Sequence, residues 1–264
     1  MASGEWLKKA KAKAKAPIQR RRRAAPARKP PAPGADALPP VILLHGILLT
    51  RHTLWPLMWR LRRRGRRVWT IPYQSTLHDI PECAHRVALR LKALGIREFD
   101  AVTFSMGGIV LRWAMNNEAM PRLRRVVMIG PPNSGSHTAD TLHRWLGPVF
   151  PLVWGAAGLQ LRRNPQGVAG RAGLLPGAEL GILVGGSGTP RGLPNPFRIP
   201  GDNDGIVGVE ESIIRGMKDI VQVNASHRTI YLRGRTAELA HTFLEHGVFR
   251  PDAANDTDGE KEEG

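Results

Sequence analysis

Between Val41 and Ile129 short apolar runs alternate with stretches that repeat at the helical period. That alternation constrains the chain more than any other feature. "VILLHG" (41–46) is a short continuous apolar run, suited to a strand buried on both faces. It is followed by Leu54, Leu57, Met58 and Leu61, spaced i, i+3, i+4, i+7, with Thr53 predicted as the cap and Gly65 as the stop. "RVWTIPY" predicts a second strand. Asp79 is placed to cap a helix with Cys83, Val87, Leu91 and Leu94 on one side and Gly95 after it. "FDAVTF", "MGGIVLRWAMNN" and "RRVVMIG" predict a strand, a helix and a strand. Strands alternating with helices of this length mean βαβ units, hence an α/β fold with a mostly parallel sheet flanked by helices.

Beyond residue 130 the pattern loosens. Residues 131–178 are rich in Gly, Pro and Trp and show no firm period. "LGILVGG" (180–186) restores a strand, "NDGIVGVEES" reads as a turn into a short helix, "DIVQV" (219–223) as the last strand and "GRTAELAHTFLEHGVF" as a closing helix.

The junction "FDAVTFSMGGIVLRW" is where chemistry enters. Ser105 closes a strand and opens a helix, at the carboxyl end of a parallel sheet, where ligands gather. Such a turn lifts the hydroxyl clear of the sheet. It also leaves the amide of Met106 unpaired at a helix N-terminus, ready to donate to a negative oxygen. The turn demands small residues two before and two after the serine. Gly107 meets the second demand and Gly108 relieves contact with the neighbouring strand, whereas Thr103 meets the first only in part and is the position where the elbow is at risk of relaxing. In "LLHGI", His45-Gly46 turns the backbone so that the amide of Ile47 can be a second oxyanion donor. In "GDNDGIVGVEES", Asp204 stands before Gly205 and the Ile206-Val207 pair and is the better-placed acid, with Asp202 a turn residue. His227 closely follows the strand 219–223, whereas His241 and His246 fall in the final helix. Ser134 and Ser136 read as loop and cap residues.

These segments together resemble the lipase/esterase branch of the α/β-hydrolase superfamily, in particular small bacterial hydrolases, over about residues 40–249. The chain order Ser, Asp, His is that superfamily's order. The resemblance implies Ser105 as nucleophile, Asp204 as acid, His227 as base and the amides of Ile47 and Met106 as the oxyanion hole. It implies hydrolysis of carboxylic esters through an acyl-enzyme; the apolar residues of 134–198 point to a hydrophobic acyl chain or alcohol, and the histidines lack a metal-ligand spacing, so no metal and no cofactor is expected. The family usually has His before the serine. Here it is Phe104, expected with His45, Gly46, Trp145 and Trp154 to shape the substrate pocket. An apolar cap is expected over residues 134–198. The same triad serves acyltransferases and thioesterases. A reading of another class is a basic membrane- or nucleic-acid-binding protein on a silent hydrolase scaffold.

Charge is uneven along the 264 residues, whose formal net charge is +17. Residues 1–40 carry about +9 in Lys/Ala and Arg/Pro/Ala repeats, and residues 251–264 about −5. Both are expected to be disordered tails around a hydrolase domain at 41–250. The basic tail, with the arginines of "RLRRRGRR" (60–67), suits peripheral contact with an anionic membrane, and no specific nucleic acid is expected. Without an apolar segment after the basic start the tail does not read as a secretory signal, so the expected location is cytoplasmic, at the inner face of a membrane. Cys83, the single cysteine, excludes an internal disulfide.

Overall fold

The computed structural model describes residues 38–164, 167–186 and 195–250. The expected tails lie outside the described residues apart from 38–40, as do residues 165–166 and 187–194 of the expected cap. Six parallel strands form one sheet in the order β2-β1-β3-β4-β5-β6. They are β1 (Val41–Leu44), β2 (Val68–Thr70), β3 (Glu98–Phe104), β4 (Arg122–Ile129), β5 (Glu179–Gly185) and β6 (Met217–Val223). The helices are α1 (Trp55–Arg63), α2 (Ile80–Ala93), α3 (Met106–Asn117), α4 (His137–Leu146), α5 (Phe150–Gln160), α6 (Val168–Arg171), α7 (Val209–Ser212) and α8 (Gly234–His246).

Side-chain alternation along the strands splits the core into two layers. Val41 and Leu43 of β1 join α1 and α8 on one face, with Val102, Val127 and Leu183. Ile42 and Leu44 join α2 and α3 on the other, with Ala101, Met128 and Ile182. The chain runs outward from β1 to β2, then crosses back to β3 on the far side of β1. The order of winding therefore reverses between β1 and β3. A crevice opens at the carboxyl ends of strands at such a reversal, and the segments 45–49 and 105–107 leave the sheet there.

Asp79 caps α2 as expected, accepting from the amide of Glu82 at 2.8 Å, and Gly65 and Gly95 end α1 and α2 at positive φ. The predicted start of α1 is displaced. A 3-10 turn at Arg51–Leu54 precedes it, and Thr53 lies inside that turn, its hydroxyl accepting from the amide of Thr50 at 3.4 Å. Pro56, which has no N–H to bond, fixes the first α-helical turn after it.

The expected cap boundary is corrected too. Residues 179–185 fall inside 134–198 yet form β5, hydrogen-bonded between β4 and β6. Their apolar run is buried within the sheet, so the helical insertion, α4 to α6, ends before it. Its α5 holds a kink at Gly155 (φ 66°).

Asp100, fully buried in β3, is held by Arg66 and by Arg124, whose Nε donates at 2.9 Å. Cys83 is buried in α2, and burial pushes its thiol up to about 12. Among the described residues no helix is long and apolar enough to cross a membrane.

Candidate active site

Ser105 sits between β3 and α3 at φ 52°, ψ −125°, a backbone region that side chains other than glycine rarely enter. Its own amide donates to the carbonyl of Ile129 at 2.8 Å, so the end of β4 anchors the turn. The turn keeps this strained backbone with Thr103 in place of the usual glycine. A Cβ built at Gly108 would come 3.2 Å from Met128 Sδ on the neighbouring strand β4 and 3.3 Å from both Pro131 Cβ and the Thr103 hydroxyl, so the glycine clears that strand as well as Thr103. Gly107 is fixed by space alone: a Cβ there would lie 2.6 Å from the carbonyl oxygen of Leu44 and 2.8 Å from that of His45. Gly46 approaches the serine as closely, its Cβ position falling 3.1 Å from that of Ser105. Segment 45–47 and the elbow thus lie in contact.

Asp204 and His227 meet as expected. Nδ1 of His227 donates to Oδ2 of Asp204 at 2.6 Å, with both side chains buried. The carboxylate's other oxygen accepts from the amides of Ile206 at 3.0 Å and Val207 at 2.7 Å. The two residues are also joined through the main chain, His227 N–H to the Asp204 carbonyl at 2.9 Å. With Nδ1–H committed to the carboxylate, Nε2 is the imidazole's acceptor. The ring lies beside the elbow. Phe104, adjacent to the serine, packs on it with centroids 4.8 Å apart. Gly130, next to the elbow's anchor, leaves only 3.1 Å between a would-be Cβ and Nδ1. Among the described residues Ser105 Oγ makes no hydrogen bond, to His227 or elsewhere; catalytic hydrogen bonds are often long without substrate. Asp202 is exposed and serves only through its carbonyl, which accepts from Val209.

The amides of Met106 and Ile47 have no acceptor among the described residues. Met106 N–H opens α3 and carries that helix's positive end. Ile47 stands before Leu48, which is strained at φ 59°. The segment is held from behind: the Tyr73 hydroxyl donates to the His45 carbonyl, and the Tyr73 ring stacks on the His45 ring at 4.1 Å. Nδ1 of His45 bonds the Gly46 carbonyl at 2.9 Å, Nε2 is buried without a partner among the described residues, and burial pulls the imidazole pKa below its ordinary value.

The expected substrate contacts divide. Gly46 borders the serine. His45 is buried against Tyr73 and supports the loop rather than lining an open pocket. Phe104, only 3% exposed, is packed against the rings of His227 and Tyr231. Trp154 stacks on Phe150 inside the insertion, and Trp145 is exposed on α4.

Three supports escaped the sequence reading. Tyr73 carries no local signal, because its partner is 28 residues away. Glu211 is buried; its carboxylate accepts from Gly208 N–H at 2.8 Å and His137 N–H at 2.6 Å, tying the acid's loop to the start of α4, and burial raises its pKa. The Arg112 guanidinium, pulled down to about 10 by burial, donates to the carbonyls of Asn133 at 3.0 Å and Gly173 at 2.7 Å and so fixes both ends of the insertion. A mid-helix arginine in an apolar stripe was its only trace. A surface cavity of about 480 Å³, lined by Tyr73, Arg86 and Arg90 among others, lies behind the loop and does not include the serine. Among the described residues no cluster of three His, Cys, Asp or Glu side chains could hold a metal.

No family model matches the chain, and no curated protein does. Solved structures do. A mature lipase from Bacillus licheniformis is similar at 18% identity and TM-score 0.65, covering 82% of this chain and 94% of its own. A metagenomic carboxyl esterase is similar at 18% identity and TM-score 0.57, over 78% of this chain and 70% of its own. An alpha/beta-hydrolase fold protein from Chitinophaga pinensis matches at 16% identity and TM-score 0.52, over 81% and 92%. These likenesses establish the fold: the chain has that of the α/β hydrolases.

Proposed function

We propose that this α/β-hydrolase-fold chain is a serine hydrolase that cleaves carboxylic esters of hydrophobic acyl groups. The observation that carries the reading is the Asp204–His227 pair set beside a strained serine whose neighbouring amides are unspent. Nε2 of His227 takes the proton of Ser105 as Oγ attacks the ester carbonyl. Asp204 keeps the imidazole in the right tautomer and stabilises its charge. The carbonyl oxygen, now negative, rests on the amides of Ile47 and Met106, each worth about 3–4 kcal/mol in the transition state. The imidazolium returns its proton to the departing alcohol. Water, deprotonated by the same imidazole, then attacks the acyl-Ser105 ester, the imidazolium returns that proton to the departing Ser105 Oγ, and the acid leaves.

Support for a hydrophobic acyl group comes from the insertion, where Trp145, Val149, Leu152 and Val153 are exposed on α4, α5 and the turn between them. The lipase and the carboxyl esterase similar in fold are consistent with it. The test is hydrolysis of p-nitrophenyl esters from C2 to C16. Ser105→Ala is expected to lower kcat by about 10⁴-fold or more and to abolish labelling by a fluorophosphonate. Turnover that survived the substitution would reject Ser105 as the nucleophile.

A further inference from the structure

Helix α1 has an outward face that the ester chemistry does not use. Leu57 and Leu61 turn into the core, and on the other side Trp55 and Trp59, one helical turn apart, are 51% and 54% exposed. The ring of His52 meets Trp55 edge to face at 4.7 Å, and the guanidinium of Arg63 lies 4.6 Å over the Trp59 ring. A ladder of histidine, two indoles and arginine therefore runs along the solvent side of the helix. Trp69 is not part of it: Val68 packs into the α1 layer, so its neighbour on β2 points to the opposite face of the sheet.

The surroundings of the ladder are cationic. From Ala37 to His78 the sequence has no acidic residue and seven arginines. Arg66 is buried on Asp100. The other six, Arg51, Arg60, Arg62, Arg63, Arg64 and Arg67, make no ion pair with a carboxylate among the described residues. Indoles partition to the headgroup level of a bilayer, and basic side chains are drawn to anionic headgroups. Two exposed indoles surrounded by arginines have both properties on one helix face. A nucleic acid would meet the same charge but gains most by stacking bases on open ring faces, and Arg63 already covers one face of Trp59.

We propose that the outward face of α1 docks on an anionic phospholipid bilayer, with Trp55 and Trp59 entering the headgroup layer and the arginines around them meeting the phosphates. Docking here does not rest on the ester-hydrolase reading. Its consequence for that reading is positional: α1 and its 3-10 turn follow directly on segment 45–49, where Leu48 is half exposed, so the docked helix holds the rim of the serine site near the lipid.

The test is co-sedimentation of the full chain with vesicles of phosphatidylcholine, alone or mixed with phosphatidylglycerol, at low and physiological salt. The wild type is expected to bind the anionic vesicles and to be weakened by salt. Trp55→Ala/Trp59→Ala should cut binding about ten-fold, and Arg60→Gln/Arg63→Gln by about five-fold for each arginine removed. Soluble-ester turnover should stay unchanged in both, which separates this test from that of Ser105. If the first pair does not fold, the second carries the same test. Wild-type binding by both variants would show that α1 is not the docking face and overturn the proposal. So would variants that lose a DNA probe while keeping the vesicles.

Discussion

Ser105 is held in its strained backbone by what its neighbours lack. Gly46, Gly107 and Gly108 each clear a specific atom: the serine's own Cβ, the Leu44 carbonyl and the Thr103 hydroxyl. Of these, the need at 107 was legible in the sequence, because the turn type demands it. So was the contact of 108 with the neighbouring strand; its closeness to the Thr103 hydroxyl was not, because that depends on which side of the helix start the threonine faces. Phe104, expected to shape the substrate pocket, is packed against two aromatic rings. Its ring sits between His227 and Tyr231, so it sets the position of the imidazole from behind. Phe104→Leu leaves space there. The expected result is a kcat lowered by about ten-fold or more with KM little changed, since a misplacement of about 1 Å can cost about 10²-fold. Steady-state kinetics on a short soluble ester checks it; a rise in KM at constant kcat would instead make Phe104 a substrate contact.

At the scale of elements, the strands and the helices α1, α2, α3 and α8 were readable because each presents one period and one stop. The insertion was not. α5 is apolar nearly all round and breaks at Gly155, so no stripe marks it as helical. The edge strand β6 is held partly by charge as well. Glu179 on β5 accepts from Arg125 on β4 and pairs with Lys218 on β6, a cross-link over three strands. Those bonds, Lys218 first and then Arg125, hold its carboxyl below the ordinary value. A depressed carboxylate gives stability that is present above its unfolded pKa and lost as pH falls through the folded one. Thermal melts of wild type and Glu179→Gln should therefore differ most at neutral pH and converge below the usual glutamate range. The side chain is 36% exposed, so the difference should be only about 0.5–1 kcal/mol. A gap that widened in acid would contradict the cross-link.

Across the whole molecule, the loop after β2 touches both the insertion and segment 45–47. Gly155, at φ 66°, brings α5 so close to the loop after β2 that a Cβ would lie 2.0 Å from the carbonyl oxygen of Thr76. Gln160 fastens the same helix to that loop's end, accepting from the amide of Ile80 at 2.7 Å. Three residues before Thr76, Tyr73 grips the His45 carbonyl and so the strand end that presents Ile47. If the amide of Ile47 serves as proposed, displacing α5 should be felt there as well as at the apolar surface it carries. Gly155→Ala forces that displacement, because it meets backbone on one side and disfavoured φ on the other, at a cost of about 1–3 kcal/mol. The expected outcome is a lower kcat/KM for long-chain p-nitrophenyl esters and a smaller, parallel loss for short ones, with fluorophosphonate labelling of Ser105 retained. If only the long-chain esters suffer, the insertion is a substrate cover uncoupled from segment 45–47. If both classes suffer, the path from Gly155 through Thr76 and Tyr73 to His45 is how the insertion reaches the chemistry.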